Sequence, residues 1–133
     1  MSYDLLVYLG RESLPSAAAW RDAIRSAAFA VELDSDFDPA ADSGFVPCLV
    51  DGRPGGFEYF LLDVDESERD GAGLAAGVDS CALFTVHGDE DMRAARAASS
   101  TLAVITGGFV EDPQKGQRWP AEEALAWARA DDP

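Results

Sequence analysis

Runs of apolar residues alternate with polar, glycine-containing segments along the chain, and their spacing predicts an order of strands and helices. The first run, YDLLVYL at 3–9, is rich in β-favouring residues and predicts a strand. Apolar residues then recur at helical spacing over 15–28 and, in a longer stretch, from Asp89 to Ile105. Gly107 follows the second helix where a left-handed residue commonly ends one. The full predicted order is β-α-β-β-β-β-α-β-α, with further strands at 29–33, 45–50, 57–64, 81–86 and 109–111 and a last helix at 120–130.

Consecutive predicted strands outnumber the strand–helix–strand units, and this favours antiparallel pairing. The predicted fold class is therefore α+β, a single domain over residues 1–133 with a mostly antiparallel sheet of five or six strands. We expect two main helices on one face of the sheet and a short C-terminal helix. The apolar positions on these elements predict a core of Leu5, Val7, Trp20, Ile24, Val31, Leu33, Leu49, Phe60, Leu62, Leu83, Phe84, Leu102 and Ile105. Where two of these are adjacent on a strand, the alternative is that one of them faces the open side of the sheet.

The charge of the chain restricts its partners. It has 25 acidic and 10 basic residues and a formal net charge of -15. A surface that binds phosphates needs clustered Lys and Arg, so we expect neither nucleic acid nor an anionic membrane as a partner. A basic protein would instead be attracted. The acidic residues cluster at 34–42, 63–70 and 89–91, and two of these segments at one end of the sheet would form an acidic rim. Solubility, or adaptation to high salt, is the alternative explanation.

The cellular setting follows from two further observations. No stretch approaches the ~20 apolar residues that a membrane-spanning helix needs. The N-terminal MSYDLLVYLG has no basic segment of the kind that opens a signal peptide. We therefore expect a cytoplasmic protein, and no motif in the sequence calls for a cofactor.

Alternating aspartates are the most suggestive local pattern. Asp34, Asp36 and Asp38 are spaced like the first ligands of a calcium loop. Pro39 stands where such a loop needs glycine, however, and Phe45 stands where a bidentate glutamate should close it. We therefore expect no metal site here, and an exposed loop whose Asp side chains cap local turns.

The remaining candidate chemistry rests on single residues. His87, the only histidine, lies at a predicted strand-to-helix corner, where a general base could sit. No catalytic motif accompanies it, so no catalytic residue is predicted. Cys48 and Cys81 lie in apolar runs and are expected to be buried, unreactive thiols. The candidate binding residues are Asp34, Asp36, Asp38, His87 and Trp119.

Several short segments carry a resemblance. These are YDLLVY at 3–8, SGFVP at 43–47, GFE at 56–58 and GGFV-x-DPQ at 107–114. Together they resemble small uncharacterised bacterial single-domain proteins, some of which are immunity proteins encoded beside secreted toxins. The resemblance implies a bacterial origin and a standalone domain, and it assigns no functional residue.

Three functions compete at this point. The first is a non-enzymatic acidic module, immunity-like or regulatory, that binds a basic protein partner. The alternative is a small-ligand-binding protein or small enzyme with a pocket between sheet and helices, formed by His87, Glu58, Tyr59 and Trp119. The third is a homo-oligomer joined through an exposed strand edge or through Trp119 and Trp127.

Overall fold

The computed structural model describes residues 2–130, apart from the side chain of Glu90. Within them the chain forms an α+β fold with one antiparallel sheet of seven strands and four α-helices. The elements are β1 (Tyr3–Leu9), α1 (Ala17–Ser26), β2 (Val31–Leu33), β3 (Gly44–Val50), β4 (Arg53–Asp63), α2 (Glu66–Gly71), β5 (Ser80–Val86), α3 (Asp89–Thr106), β6 (Phe109–Asp112), β7 (Gln117–Pro120) and α4 (Ala121–Ala130), with a 3₁₀ turn at Arg11–Ser13. The strand order across the sheet is β2-β3-β4-β5-β1-β6-β7.

The predicted fold class and the antiparallel pairing are confirmed, whereas the number of strands is too low by at least one. The strand that was missed is β7. Its four residues are too few to show a periodicity, and Pro120 was assigned to the helix that follows. Proline is tolerated there because β7 is an edge strand and Pro120 is its last residue. The helix α2 lies in the segment 65–77, which the sequence indicates as a surface connection with room for one helical turn, and its six residues contain no buried side chain that would set a helical pattern.

The turn between β3 and β4 is shorter than the segment 51–56 that the sequence suggested. Asp51 and Gly52 alone make it, with φ of 52° and 78°. Positive φ at both central residues defines the tight hairpin turn that Asp-Gly favours. The residues after it continue β4, and Gly56 pairs with Pro47 on β3. The predicted strands at 45–50 and 57–64 therefore left too long a connection between them, because β4 already begins at Arg53.

Three helices cover one face of the sheet, and local chemistry explains where they begin and end. Ser16 caps α1, because its side chain accepts a hydrogen bond from the amide of Ala19. Trp20 anchors α1 on α3, since its indole N–H donates to the carbonyl of Ala98 over 2.9 Å. The long helix α3 ends at Gly107, whose φ of 71° confirms the predicted left-handed stop. The stacked pair of Trp119 and Trp127 joins α4 to β7.

The core lies between this face and the helices, and it contains most of the predicted residues. Leu5, Val7, Trp20, Ile24, Val31, Leu33, Phe84 and Leu102 are all buried. Four other predictions are wrong, and of the adjacent pair Leu83 and Phe84 only Phe84 is buried, as strand alternation requires. Leu49, Leu62 and Ile105 are exposed, whereas Phe60 and Leu83 are only half-buried. For the four strand residues the reason is the pleat, because alternate side chains of a strand point to opposite faces and these four point away from the helices.

Candidate functional site

The face of the sheet opposite α1, α3 and α4, here called the open face, carries side chains in rows across the strands. Residues directly opposite one another on paired strands share a face. Phe45 on β3 is opposite Glu58 on β4, Glu58 is opposite Thr85 on β5, and Thr85 is opposite Asp4 on β1. These four side chains therefore form one row that runs across four strands.

The neighbouring rows of the open face are mostly apolar. One row contains Phe60, Leu83 and Leu6 on β4, β5 and β1. Leu62 lies two positions beyond Phe60 on β4, and Leu49 lies on β3 opposite Pro54. The exposed fractions of Phe45, Leu49 and Leu62 are 63%, 41% and 46%. Large apolar side chains that stay in water on one face of a sheet are typical of an interaction surface.

Carboxylates stand among these apolar side chains. Two of them are paired with arginine: Glu32 with Arg21, and Glu111 with Arg118 over 2.7 Å. The other two lie in the central row. Asp4 accepts a hydrogen bond from the Thr85 hydroxyl over 2.8 Å, and Glu58 lies 3.6 Å from Nε2 of His87. Neither of these two carboxylates forms an ion pair with an arginine among residues 2–130, so the centre of the open face carries more acidic than basic groups.

A groove of about 670 Å³ opens at the β2–β3 edge, and Pro47 explains its position. The ladder between β2 and β3 runs to the pair Leu33 and Cys48, and the amide of Asp34 then donates to the Pro47 carbonyl over 3.1 Å. Proline has no N–H to return that bond, so the chain leaves the sheet at this point. The resulting edge groove is lined by Arg21, Glu32, Leu33, Asp34, Ser35, Phe45, Pro47, Cys48, Leu49, Pro54 and Gly55.

The acidic loop, residues 34–43, follows from Asp34 and has the local structure that the sequence predicts. Asp34 accepts a hydrogen bond from the amide of Asp36, and Asp38 accepts one from the amide of Ala40. These side chains cap turns, as expected. The loop is also tied to the core, because the Tyr59 hydroxyl donates to the Pro39 carbonyl over 2.8 Å.

Two of the three acidic segments lie at the same end of the sheet. Arg11 bridges them, since its guanidinium donates to the carbonyl of Ala40 and forms an ion pair with Asp63 at 3.4 Å. The third segment is at the opposite end. There Asp91 at the start of α3 accepts a hydrogen bond from the amide of Gly56, near the beginning of β4.

The predicted binding residues are thus only partly brought together. Asp34 lines the edge groove, and His87 lies beside Glu58 at the open face. Trp119 is on β7 at the far edge of the sheet, stacked on Trp127 with ring centroids 4.5 Å apart. Tyr59 is fully buried in the core, where burial raises the pKa of its phenol. Of the four side chains of the hypothetical pocket, His87 and Glu58 therefore lie on the open face, whereas Tyr59 and Trp119 lie on the face that the helices cover.

Both thiols are buried, as predicted. Burial is the largest cause that raises the pKa of Cys48 and of Cys81 to about 12, and neighbouring carboxylates contribute to the same shift. A thiol with such a pKa contains almost no thiolate at neutral pH, so neither cysteine is a nucleophile in the folded protein.

The exposed apolar residues of β3 were assigned to the core or passed over in the sequence, although the strand carries a usable signal. Its inward positions are Val46, Cys48 and Val50, and its outward positions are Phe45, Pro47 and Leu49. Antiparallel strands with one solvated face normally alternate apolar and polar residues. β3 is instead apolar at both its inward and its outward positions. Because helices cover only one face of the sheet, this pattern indicates a second apolar surface on the other face.

Comparison with known proteins adds no relationship: no family model, no curated protein and no solved structure matches this chain. Among residues 2–130, no group of three or more His, Cys, Asp or Glu side chains could hold a metal ion. In the same part of the chain no helix is long and apolar enough to cross a membrane.

Proposed function

We propose that the protein is a non-enzymatic binding module that engages a basic protein partner through the open face and the edge groove. The observation that carries this proposal is the composition of the open face. Phe45, Leu49 and Leu62 are exposed there, and the carboxylates of Glu58 and Asp4 lie in the same row as Phe45, with no arginine partner among residues 2–130. The proposal is the basic-partner function that the charge of the sequence suggested.

The apolar and acidic groups would act on different steps of binding. Burial of the exposed apolar side chains supplies affinity, at about 25 cal/mol per Å² of apolar surface removed from water. The carboxylates contribute orientation and speed, because complementary charge steers diffusional encounter more than it strengthens the final complex. A basic partner with an apolar patch satisfies both requirements.

A second copy of the chain has the apolar patch that binding requires but not the basic charge. Each copy has a formal net charge of -15. A two-fold dimer through the open face would bring equivalent carboxylates towards each other, and like charges across an interface are costly. Homo-oligomerisation therefore serves as an alternative outcome in the test.

Two forms of this function differ in what happens to the partner. In an immunity-like role the partner is a basic toxin whose activity is blocked on binding. In a regulatory role the partner is bound without loss of its own activity. An activity assay of the purified partner, with and without the protein, separates them.

The test is a binding experiment with matched surface variants. The open-face variant carries Leu49→Ser and Leu62→Ser, and the control carries Val104→Ser and Ile105→Ser on α3. The control residues have similar exposed fractions, 45% and 37%, but lie on a helix that packs on the other face. Proteins retained from extract of the source cell are identified for each variant at low and high salt.

We expect a basic protein that the wild type and the α3 control retain at low salt and that the open-face variant loses. Purified partner and protein should then bind each other directly with the same ranking. Equal retention by both variants would reject the open face, and the absence of any basic partner at low salt would reject the function. A sedimentation mass of a dimer, lost in the open-face variant, would assign the face to a second copy.

A further inference from the structure

A second cavity, here called the end cavity, lies at the end of the sheet where β1 finishes and β6 begins. Its volume is about 560 Å³. Small-molecule sites have volumes of roughly 300–1,000 Å³. Four parts of the chain surround it: the end of β1 with the 3₁₀ turn, the loop before β5, the last turn of α3, and the paired strands β6 and β7. Its lining residues are Tyr8, Leu9, Gly10, Ser13, Ala75, Gly77, Val78, Thr106, Gly107, Gly108, Phe109, Arg118 and Pro120.

The lining of the end cavity differs in charge from the rest of the molecule. The chain has 25 acidic residues among 133, yet none of the lining residues is a carboxylate. The edge groove, by contrast, contains Glu32 and Asp34. The one basic side chain of the end cavity, Arg118, is already paired with Glu111 over 2.7 Å. The lining is therefore close to neutral and suits a ligand without net charge.

Aromatic side chains form one wall. The rings of Tyr8 and Phe109 have centroids 5.8 Å apart and are tilted by 42°. The guanidinium of Arg118 lies over the Phe109 ring at 4.7 Å from its centroid. Aromatic pairs prefer tilted or offset arrangements, and a third ring can extend such a pair. This wall favours an aromatic ligand over an aliphatic one.

The opposite wall is the last turn of α3 and the glycine backbone around it. Thr106 lies there, and because its hydroxyl already donates to the Leu102 carbonyl over 2.8 Å, only the lone pairs of its oxygen remain for a ligand. The C-terminal end of a helix carries partial negative charge on its carbonyl groups. The backbone segments around Gly10 and Gly77 approach each other closely because Gly10 has no side chain: a Cβ at Gly10 would stand 2.9 Å from the carbonyl oxygen of Gly77. The cavity is therefore narrow at this point. A flat ligand with one N–H or O–H donor fits these conditions.

We infer that the end cavity binds a small, uncharged aromatic molecule that donates one hydrogen bond. The inference goes beyond the proposed function. No residue of the end cavity lines the edge groove, whereas Tyr8, Phe109 and Arg118 belong to the part of the open face on β1, β6 and β7, so the ligand would lie beside the surface proposed for the partner.

Three related probes test the chemistry of the ligand. Indole is neutral and has an N–H donor, 1-methylindole lacks the donor, and indole-3-acetate adds a negative charge. Each is titrated into the isotope-labelled protein to about 10 mM, which covers the weak affinities of fragments this small. Amide chemical shifts locate the binding site.

We expect indole to shift the amides of Gly10, Gly77, Gly107 and Gly108 in a saturable way, with at least a fewfold weaker binding of the other two probes. Absence of saturable shifts at these amides, or tightest binding of indole-3-acetate, would overturn the inference.

A matched pair of glycine variants tests the location. A Cβ at Gly77 or at Gly71 would meet no atom within 4 Å, and neither glycine has a positive φ, so both positions accept a side chain without strain. Only Gly77 lines the end cavity. Gly77→Leu should weaken the binding of indole severalfold, whereas Gly71→Leu should leave it unchanged. Equal affinity in the two variants would place the ligand elsewhere and reject the end cavity as its site.

Discussion

The ring of Phe45 on β3 lies against Gly56 on β4, and the contact depends on the missing side chain of the glycine. A Cβ built at Gly56 would stand 2.7 Å from Cζ of Phe45 and 2.3 Å from the carbonyl oxygen of Val46. Gly56 also has a φ of 151°, which side chains rarely permit. The open face thus keeps its most exposed aromatic residue in place through a glycine on the neighbouring strand.

Gly56→Ala should therefore be strongly destabilising. The methyl group would displace the backbone of Val46 as well as the Phe45 ring, and we expect a loss of at least about 2 kcal/mol in the free energy of unfolding. Urea denaturation measures it. Gly71→Ala is the control, since a Cβ there meets no atom within 4 Å. A loss for Gly56→Ala no larger than that of the control would contradict the geometry of this contact.

The end of α3 gives a second stability prediction. Gly107 has a φ of 71° but open space around its Cβ direction, so a substitution there has a conformational cost without a clash. Gly107→Val should lower the free energy of unfolding by about 1 kcal/mol or more, since a β-branched residue tolerates this conformation badly. Gly71→Val should have a smaller effect. Identical melting temperatures would show that the helix does not depend on the left-handed stop.

The sequence revealed the order of the elements better than the faces of the strands. The helix α3 begins at Asp89 and is followed by the left-handed Gly107. An acidic residue at the start of a helix and a glycine after its end are signals within the helix ends themselves, and that is why the bounds of α3 could be predicted. Leu5 and Leu49 both lie in apolar strand segments, yet Leu5 is buried and Leu49 is exposed. Which face the helices cover depends on contacts between distant parts of the chain, and periodicity within one strand cannot supply this information.

Of the candidate site, only the local structure of the acidic loop could be predicted from the sequence. The capping roles of Asp34 and Asp38 follow from the preference of Asp for turns, which acts over two residues. The row that joins Phe45 to Glu58 and Asp4 depends on the register of four strands. The groove depends on Pro47 ending a ladder whose partner strand lies more than ten residues earlier in the chain.

Stability measurements can separate the open face from the core. Leu49→Ser and Leu62→Ser should each lower the free energy of unfolding by only about 1 kcal/mol, because 41% and 46% of these residues are already exposed to water. Leu102→Ala, at a fully buried position on α3, should cost about 2–5 kcal/mol. Similar losses for all three variants would mean that the open face is covered in solution.

The buried thiols predict a dependence of stability on pH. The pKa of each cysteine is about 12 in the folded protein, against about 8.5 for an unfolded thiol. The unfolded chain therefore loses these protons first. The stabilising effect is complete below about pH 8.5 and is lost as the pH rises towards 12, by up to about 1.4 kcal/mol per pH unit for each thiol.

The measurement is urea denaturation between pH 8 and 10, compared with the double variant Cys48→Ala, Cys81→Ala. The wild type should lose stability faster with pH than the double variant. Native wild type should also react with a disulfide reagent far more slowly at pH 8 than the unfolded protein. Equal pH slopes, or rapid labelling of native protein, would be incompatible with protonated, buried thiols.

The acidic loop predicts how fast a partner associates. Changing Asp34, Asp36 and Asp38 to Asn reduces the formal net charge from -15 to -12, and it keeps a side-chain oxygen for the hydrogen bonds that cap the turns. The fold should remain within about 0.5 kcal/mol of the wild type, since exposed carboxylates contribute little to stability. The association rate with a basic partner should fall severalfold, and its decrease with rising salt should become shallower.

A control with the same charge shows whether position matters. Asp22→Asn, Glu122→Gln and Glu123→Gln also remove three charges, but from the exposed sides of α1 and α4, away from the open face. If the acidic loop guides the partner to the edge groove, this control should slow association less than the loop variant, in stopped-flow measurements at the same ionic strength. Equal slowing by both variants would mean that only the total charge matters. An association rate that ignores salt and both variants would remove the electrostatic basis of the proposed function.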